Sequence, residues 1–366
     1  MNSPTFPQSE ILAAEASAWG TPLRPAGCPA CRQVYLLEAD RLEQTCPNCA
    51  RSKLKPQPAL LRPEAPELLA PFRHTRPDLR SGLDKFVKEV WLPCADFETD
   101  TLLRRAVPVY WPMWLLDSEV IGHWQAEAGF NYQVKSSQES YGGSGWTTRE
   151  QVETRIRWEP RAGQIQRHYD NIVAPAISEQ GRLLKLAGQY QLNLATAYRP
   201  EQVKGALLHV PDLSPESAWP LAQPELDEAA SAECQQAAGA QHLRNFTLRA
   251  DYESLHWTLL FLPVYVTWYT DDQGQAHTLY LNGQSGLIGG ARLASQRKGW
   301  QWAGALLAAA AVFFLLALLL AGIGFIFPPG MILGSLLGIM AILLACAAII
   351  PAAWPWQWNR GQMEKS

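Results

Sequence analysis

The sequence has no Asp, Glu, Lys, Arg or His between Lys298 and Arg360, and it lacks the motifs of the common enzyme classes. No histidine pair has the i, i+4 spacing of zinc proteases, and no Gly-x-Ser-x-Gly elbow, phosphate-binding loop or dinucleotide-binding glycine triplet occurs in the 366 residues. A net charge of -3 argues against a strongly nucleic-acid-seeking surface. We therefore expect a protein that is not an enzyme, with no evident small-molecule substrate.

The uncharged stretch is apolar and is interrupted only by a Pro-Pro-Gly turn. As helices, residues 303–327 would rise about 37 Å and residues 331–350 about 30 Å, against a hydrocarbon core of about 30 Å. Residues 299–358 are therefore predicted to form a transmembrane helical hairpin embedded in a lipid bilayer. A stripe of small residues on the second helix allows close approach of the first helix or of a partner helix; its members are Gly330, Gly334 and Gly338.

The flanks of this hairpin predict its orientation. The nearest basic residues all lie at its open ends, and they are Arg292, Arg297, Lys298, Arg360 and Lys365. Because positive charge stays on the cytoplasmic side, both termini are expected to be cytoplasmic in a two-pass inner-membrane protein. Five indoles at the open ends are expected at headgroup depth: Trp300, Trp302, Trp354, Trp356 and Trp358.

Four cysteines give the strongest chemical signal. Two C-x2-C pairs, Cys28 with Cys31 and Cys46 with Cys49, are separated by fourteen residues. This spacing lets two tight turns at the ends of a short β-hairpin aim four sulfurs at one ion. A four-thiolate shell has no open position for water, so the expected occupant is structural Zn²⁺ in a zinc ribbon over residues 21–54.

Rubredoxin-type iron is the rival occupant of such a site. Arg32 and Ala50, however, stand where rubredoxin turns usually carry glycine, and the gap between the cysteine pairs is short for that family. We therefore favour zinc. The remaining thiols, Cys94, Cys234 and Cys346, have no spacing partner and are interpreted as buried small hydrophobic residues.

The rest of the chain is predicted from composition and periodicity. Residues 1–20 are expected to be disordered and carry no secretory signal, residues 55–66 form a Pro-rich linker, and residues 359–366 form a cytosolic tail. Residues 67–298 are predicted to be a β-rich α+β cytosolic domain. The absence of an export signal implies a reducing compartment, which favours metal ligands over disulfides.

Periodicity places elements within this domain. Helices are predicted at residues 76–92 and 225–243, with residues 211–224 as a Pro-rich connection. Alternating apolar and charged residues at 151–158 predict a half-buried strand. Residues 262–265 repeat the apolar-Pro-apolar-aromatic pattern of residues 111–114. This repetition predicts two related β-rich halves.

The chain resembles a bacterial family of membrane-anchored zinc-ribbon proteins, over nearly its whole length. The resemblance rests on the four cysteines and on short segments at residues 70–73, 109–115, 157–158, 260–265 and 281–286. Members are sometimes labelled primosomal or helicase-like because of the ribbon. The resemblance implies a cytosolic ribbon and β-rich domain held at the inner membrane, in some bacteria alongside phage-shock and SPFH membrane-stress proteins.

Together these features predict a scaffold or adaptor that recruits protein partners to the inner membrane face, or that assembles with copies of itself. The alternative is a membrane-tethered nucleic-acid binder, because the ribbon carries a mild basic excess.

Overall fold

The structure, a computed structural model, describes residues 19–57, 65–142, 145–324 and 329–363. Residues 1–18 of the predicted disordered N-terminus, most of the predicted linker and the end of the predicted tail lie outside the described residues. The described residues form a mixed α+β protein with a large sheet and two long apolar helices near the C-terminus. The predicted α+β class is confirmed at this level, while the two related halves remain a prediction.

The elements follow in chain order. The strands are β1 (Leu23–Gly27), β2 (Val34–Glu38), β3 (Lys55–Pro56), β4 (Leu68–Leu69), β5 (Val107–Gly142), β6 (Gly145–Pro175), β7 (Thr196–Ala197), β8 (Leu207–His209), β9 (His242–Thr270), β10 (Ala276–Asn282) and β11 (Ile288–Gly290). The helices are α1 (Arg80–Lys88), α2 (Thr99–Arg105), α3 (Gln180–Ala187), α4 (Pro215–Ala237), α5 (Gln296–Gly324), α6 (Pro329–Ala347) and α7 (Ile349–Met363).

The first of two compact units comprises Met1–Pro112, Glu179–Val210 and Phe261–Ser366. Its strands follow the order β11-β10-β9-β5-β8-β2-β1-β3. Strand β2 pairs antiparallel with β1 and also with β8, and β8 runs parallel to β5. The strands of the predicted ribbon are thus continuous with the sheet. The predicted division into ribbon, linker and domain stays a prediction.

Helix α1 packs one apolar face into a core of the first unit. A 3-10 turn at Pro77–Leu79 precedes it, and the helix ends at Lys88 rather than at residue 92 as predicted. The start is fixed by Asp78, whose carboxylate accepts hydrogen bonds from the backbone N–H and hydroxyl of Thr75 at 2.7 and 2.6 Å. Helical spacing predicted an apolar face that includes Leu79, Leu83, Phe86 and Val90, and these four are buried. Trp91, predicted on the same face, is 53% exposed, because the helix ends before it.

The second unit comprises Met113–Ser178 and Pro211–Leu260. Its helix α4 begins at Pro215, so the prediction that residues 211–224 are a connection was wrong. Ser214 caps the helix by accepting a hydrogen bond from the N–H of Ser217, and two further prolines lie inside it. A stripe at four-residue spacing is buried in the core, which offsets the hydrogen bonds that the prolines remove; it is formed by Ala218, Ala222, Leu226, Ala230 and Cys234.

Strands β5 and β6 form a long antiparallel hairpin in this unit, with Met113 opposite Pro175 and Gly142 opposite Gly145. The prediction of a half-buried strand at residues 151–158 was wrong in its burial. The strand exists, but residues 151–157 are exposed on both faces, including Val152 at 52% and Ile156 at 39%. The alternation of apolar and charged residues predicted one apolar face of this strand. Within the described residues no helix or second sheet covers that face.

Helix α5 and the helical stretch from Pro329 to Gln362 are each long and apolar enough to cross a membrane. Gly334 of α6 faces α5 so closely that an added Cβ would lie 3.0 Å from the carbonyl oxygen of Ala317 and from the backbone nitrogen of Ala321. The small-residue stripe therefore serves the contact between these two helices of the same chain.

Helix α7 docks onto the rest of the first unit through its polar and aromatic side chains. The indole N–H of Trp358 donates to the carbonyl of Arg292 at 2.6 Å. The amide of Asn359 donates to the carbonyl of Ala294 at 3.0 Å and accepts from its N–H at 2.7 Å. The helix that continues the second apolar span is thus fixed to the body of the protein.

The tryptophans at the open ends divide into two groups. Trp354 and Trp358 are partly buried, stack on each other and pack against the core that contains α1. The headgroup depth expected for the five indoles stays a prediction. Trp300, Trp302 and Trp356 remain exposed, with 68%, 59% and 60% of their surfaces accessible. Sequence spacing alone does not distinguish an interfacial indole from one that fills a core.

Replacing Asn359 by Ala should loosen this docking. Both backbone groups of Ala294 would lose their partners, at a cost of about 1–3 kcal/mol in the free energy of unfolding. Thermal unfolding of the full chain in detergent measures the effect. The neighbouring exposed Gln357→Ala is the control and should be nearly neutral; equal melting temperatures for the two variants would contradict the docking role of Asn359.

Candidate metal centre

The four cysteines come together at the N-terminal end of the first unit. Their sulfur atoms all lie within 4.8 Å of one another, and two of the distances, Cys28 to Cys49 and Cys31 to Cys46, are 3.6 Å. Four sulfurs placed about 2.3 Å from a central ion in a tetrahedron are about 3.8 Å apart. The cluster could therefore hold a metal ion, and the four predicted ligands are the ones the structure brings together.

The two Cys-Pro-x-Cys turns share the same backbone pattern. In the first, the N–H of Arg32 donates to the carbonyl of Cys28 at 2.9 Å; in the second, the N–H of Ala50 donates to the carbonyl of Cys46 at 2.9 Å. Arg32 and Ala50 both adopt the left-handed conformation, with φ of 62° and 52°. Each turn thus reverses the chain after its second cysteine, so that both sulfurs of the pair point to one place.

Strands on either side fix the first turn. Strand β1 pairs with β2 from Leu23 opposite Glu38 to Gly27 opposite Val34, directly before Cys28. The N–H of Cys28 donates to the carbonyl of Gln33 at 2.9 Å, which closes the loop between the strands. Strand β2 follows the first cysteine pair, and its partner β1 precedes that pair.

Residues far along the chain hold the second turn. The hydroxyl of Thr278 donates to the carbonyl of Asn48 at 3.0 Å, and the hydroxyl of Tyr280 lies 3.5 Å from the Asn48 side-chain oxygen. Sequence reasoning missed all three residues. No local pattern connects an asparagine inside a cysteine turn with two residues of β10 that lie some 230 positions later.

An aromatic contact supports the same region from β2. Tyr35 is 2% exposed, and its ring meets that of His209 edge-on, with the centroids 4.9 Å apart. His209 lies at the end of β8, the strand that pairs with β2. The strand that follows the first cysteine pair is therefore paired and packed within the sheet.

Burial shapes the acid-base behaviour of the thiols. It raises the pKa of Cys31 to about 11 and raises the pKa of Cys46 further. Burial also opposes ionisation of Cys28, yet hydrogen bonds from the backbone N–H groups of Cys31 and Ala30 lower its pKa overall. Without a metal, the thiols of Cys31 and Cys46 would hold their protons at neutral pH. A metal ion would displace those protons and be coordinated by the thiolates.

The other three cysteines lie outside the cluster. Cys94 and Cys234 are buried as predicted, whereas Cys346 is exposed on α6, so its predicted burial was wrong. On an apolar helix that could face lipid, a small thiol needs no cover from protein side chains. In the described ranges, no other group of three or more His, Cys, Asp or Glu side chains could hold a metal ion.

A polar groove of about 310 Å³ adjoins the second cysteine turn. Its walls include Asn48 and Arg51 from that turn, Arg182 from α3, and His277 and Tyr280 from β10. The imidazole of His277 lies 2.9 Å from the carboxylate of Asp271. Glu179 also lines the groove, 3.8 Å from the guanidinium of Arg182, so Arg51 supplies the cation without a carboxylate partner from this lining, next to the cysteine cluster.

Comparison with protein-family models, with curated proteins and with solved structures gives no match for this chain. The geometry of the cluster and of the apolar helices therefore carries the functional argument.

Replacing Cys46 by Ser should abolish stoichiometric metal binding. Three thiolates and a hydroxyl form a much weaker site, and Cys46 is fully buried, so the ribbon strands should also lose order. Elemental analysis of the purified full chain should give near one metal ion per wild-type chain and close to none for the variant. Cys346→Ser removes a thiol outside the cluster and should retain the metal; loss from both variants, or from neither, would contradict the assignment.

The left-handed residue of the second turn gives a further prediction. Ala50→Gly should keep or raise stability, because glycine adopts φ of 52° without the strain of about 1 kcal/mol that a Cβ brings. Ala50→Val should lower stability and metal retention, since a β-branched side chain is strongly disfavoured there. Metal release to a chelator and thermal unfolding are the measurements. Stability and metal retention should decrease from the glycine variant to wild type to the valine variant. A valine variant that matches wild type would refute the role of this conformation.

Proposed function

We propose that this protein is a membrane-anchored cytosolic scaffold that carries a structural zinc ribbon and recruits protein partners to the inner face of the bacterial cytoplasmic membrane. One observation carries the proposal: the four-cysteine cluster and the two apolar helices belong to a single compact unit. A closed metal site joined firmly to an anchor suits a protein that positions other molecules.

The donor set supports zinc in a structural role. Four thiolates suit a soft or borderline ion, and Zn²⁺ binds them tetrahedrally at about 2.3 Å. Four protein ligands leave no position for water or substrate, so an ion held there would stabilise the fold and would not activate a reactant. The ribbon strands and the second turn would then depend on the ion for their alignment.

The apolar helices support the anchoring part of the proposal. A core helix of a soluble protein is mostly buried, whereas only 11% and 17% of the two most apolar windows are buried within this chain. Exposed indoles of Trp300, Trp302 and Trp356 lie near the open ends, together with the basic Arg297 and Arg360. This arrangement favours an open end on the cytoplasmic side.

The docking of α7 supports a positioning role. Because Asn359 and Trp358 bond to the segment before α5, the second helix cannot swing freely relative to the sheet. An anchor of this kind would hold the metal centre and its sheet in a defined place at the membrane. The resemblance to membrane-anchored zinc-ribbon proteins suggests partners among the membrane-stress proteins.

Co-purification from native membranes tests the proposal. Carbonate-washed membranes are solubilised, and the tagged full chain is compared with a control of residues 296–363 alone, which carries the apolar helices without the sheet. The proposal expects the full chain in the washed pellet, with one or more cytosolic proteins enriched over the control. Release of the full chain by the carbonate wash, or its recovery with no enriched protein, would refute it.

The second candidate, a tethered nucleic-acid binder, is favoured by the groove that Arg51 and Arg182 line beside the metal centre. The same purified chain separates the candidates. Binding of labelled single-stranded DNA or RNA that weakens steeply with salt and is lost in Arg51→Glu would favour this reading over the scaffold. Binding that is absent at low salt would remove it.

A further inference from the structure

The outer part of the β5–β6 hairpin offers an unpaired strand edge. Among the described residues β6 pairs with β5 alone. The backbone N–H of Asn131 on β5 still meets the side chain of Gln241, just before β9 begins, at 2.9 Å. Beyond this point the described part of the hairpin has two strands only, and such a ribbon is marginally stable in water without a further partner.

The two faces of the exposed segment of β6 differ: one carries charged side chains and the other carries apolar ones. Glu153 and Arg155 lie on one face and contact each other at 3.1 Å, while about half of each side chain remains accessible. Val152 and Ile156 lie on the opposite face and are exposed. A free strand edge that also exposes apolar side chains normally pairs or aggregates unless charges prevent it.

The sequence of this edge is complementary to itself. We propose that β6 pairs antiparallel with β6 of a second copy of this chain, about a two-fold axis at Thr154 that is perpendicular to the sheet. In this register Glu153 of each copy lies opposite Arg155 of the other, and Val152 of each copy lies opposite Ile156 of the other. Each such cross-strand pair stabilises the interface, and the symmetric contact is closed.

Neighbouring registers are unfavourable. Centring the axis on Glu153, Arg155 or Arg157 places two like charges directly opposite each other, and centring it on Ile156 places Arg155 opposite Arg157. Among the registers centred from Glu153 to Arg157, only the one at Thr154 avoids like-charge pairs. The charged residues of β6 therefore allow two copies to pair and also favour a single register for that pairing.

Charge reversal tests this interface in the full chain in detergent or nanodiscs, with mass measured over a concentration series. Wild type is expected to be a dimer. Glu153→Arg and Arg155→Glu should each weaken dimerisation roughly tenfold or more, because each places two like-charge pairs across the axis. Arg157→Glu is the matched control on the same face; residue 157 lies opposite Gln151, so this variant should dimerise nearly as well as wild type.

Mixing the two disruptive variants gives the sharpest outcome. One chain then carries two arginines and the other two glutamates at positions 153 and 155, so both cross-strand pairs become attractive while the pair within each chain stays broken. The mixture of differently tagged chains should form heterodimers as tightly as wild type forms homodimers. A monomeric wild type, single variants that remain dimeric, or a mixture that fails to associate would each overturn the proposal.

Discussion

The convergence of four sulfur atoms into a volume less than 5 Å across is the constraint on which the N-terminal part of the structure depends. Two turns must reverse the chain in the same way, and each does so through a residue with positive φ, Arg32 or Ala50. Strand pairing before Cys28 and the bonds from β10 to Asn48 bring the turns together. Because two of the four cysteines are buried and the other two are partly buried, an ion coordinated by all four would compensate for their lost contact with water.

The cluster and the apolar helices are linked through the same sheet. Strand β2 reaches β5 by way of β8, and β10 both contacts the second cysteine turn and pairs with β9. At the other end, Asn359 fixes α7 to the backbone of Ala294, next to the start of α5. Hydrogen bonds therefore connect the cysteine cluster to the sheet, and others connect the sheet's unit to α7.

Local patterns predicted much of the fold and of the candidate site. The C-x2-C spacing identified all four clustered residues, since two residues between thiols suffice to define a turn. The uncharged stretch identified the apolar helices from length and composition. The predicted start of helix α4 was ten residues too late, because its three prolines indicated a connection. Burial of the stripe that begins at Ala218 stabilises the helix despite these prolines. The strand at residues 151–158 was found, but its exposure was not.

By itself the sequence determined which cysteines could share an ion, which segments could cross a membrane and which residues alternate as strands. Each of these properties depends on neighbours a few positions apart. Only the tertiary structure decided that Asn48 is held by Thr278 and Tyr280, that Trp354 and Trp358 pack against a core, and that Gly334 serves the contact with Ala317. These outcomes depend on contacts between distant residues, whose free energies are set by packing and are not encoded in any local pattern.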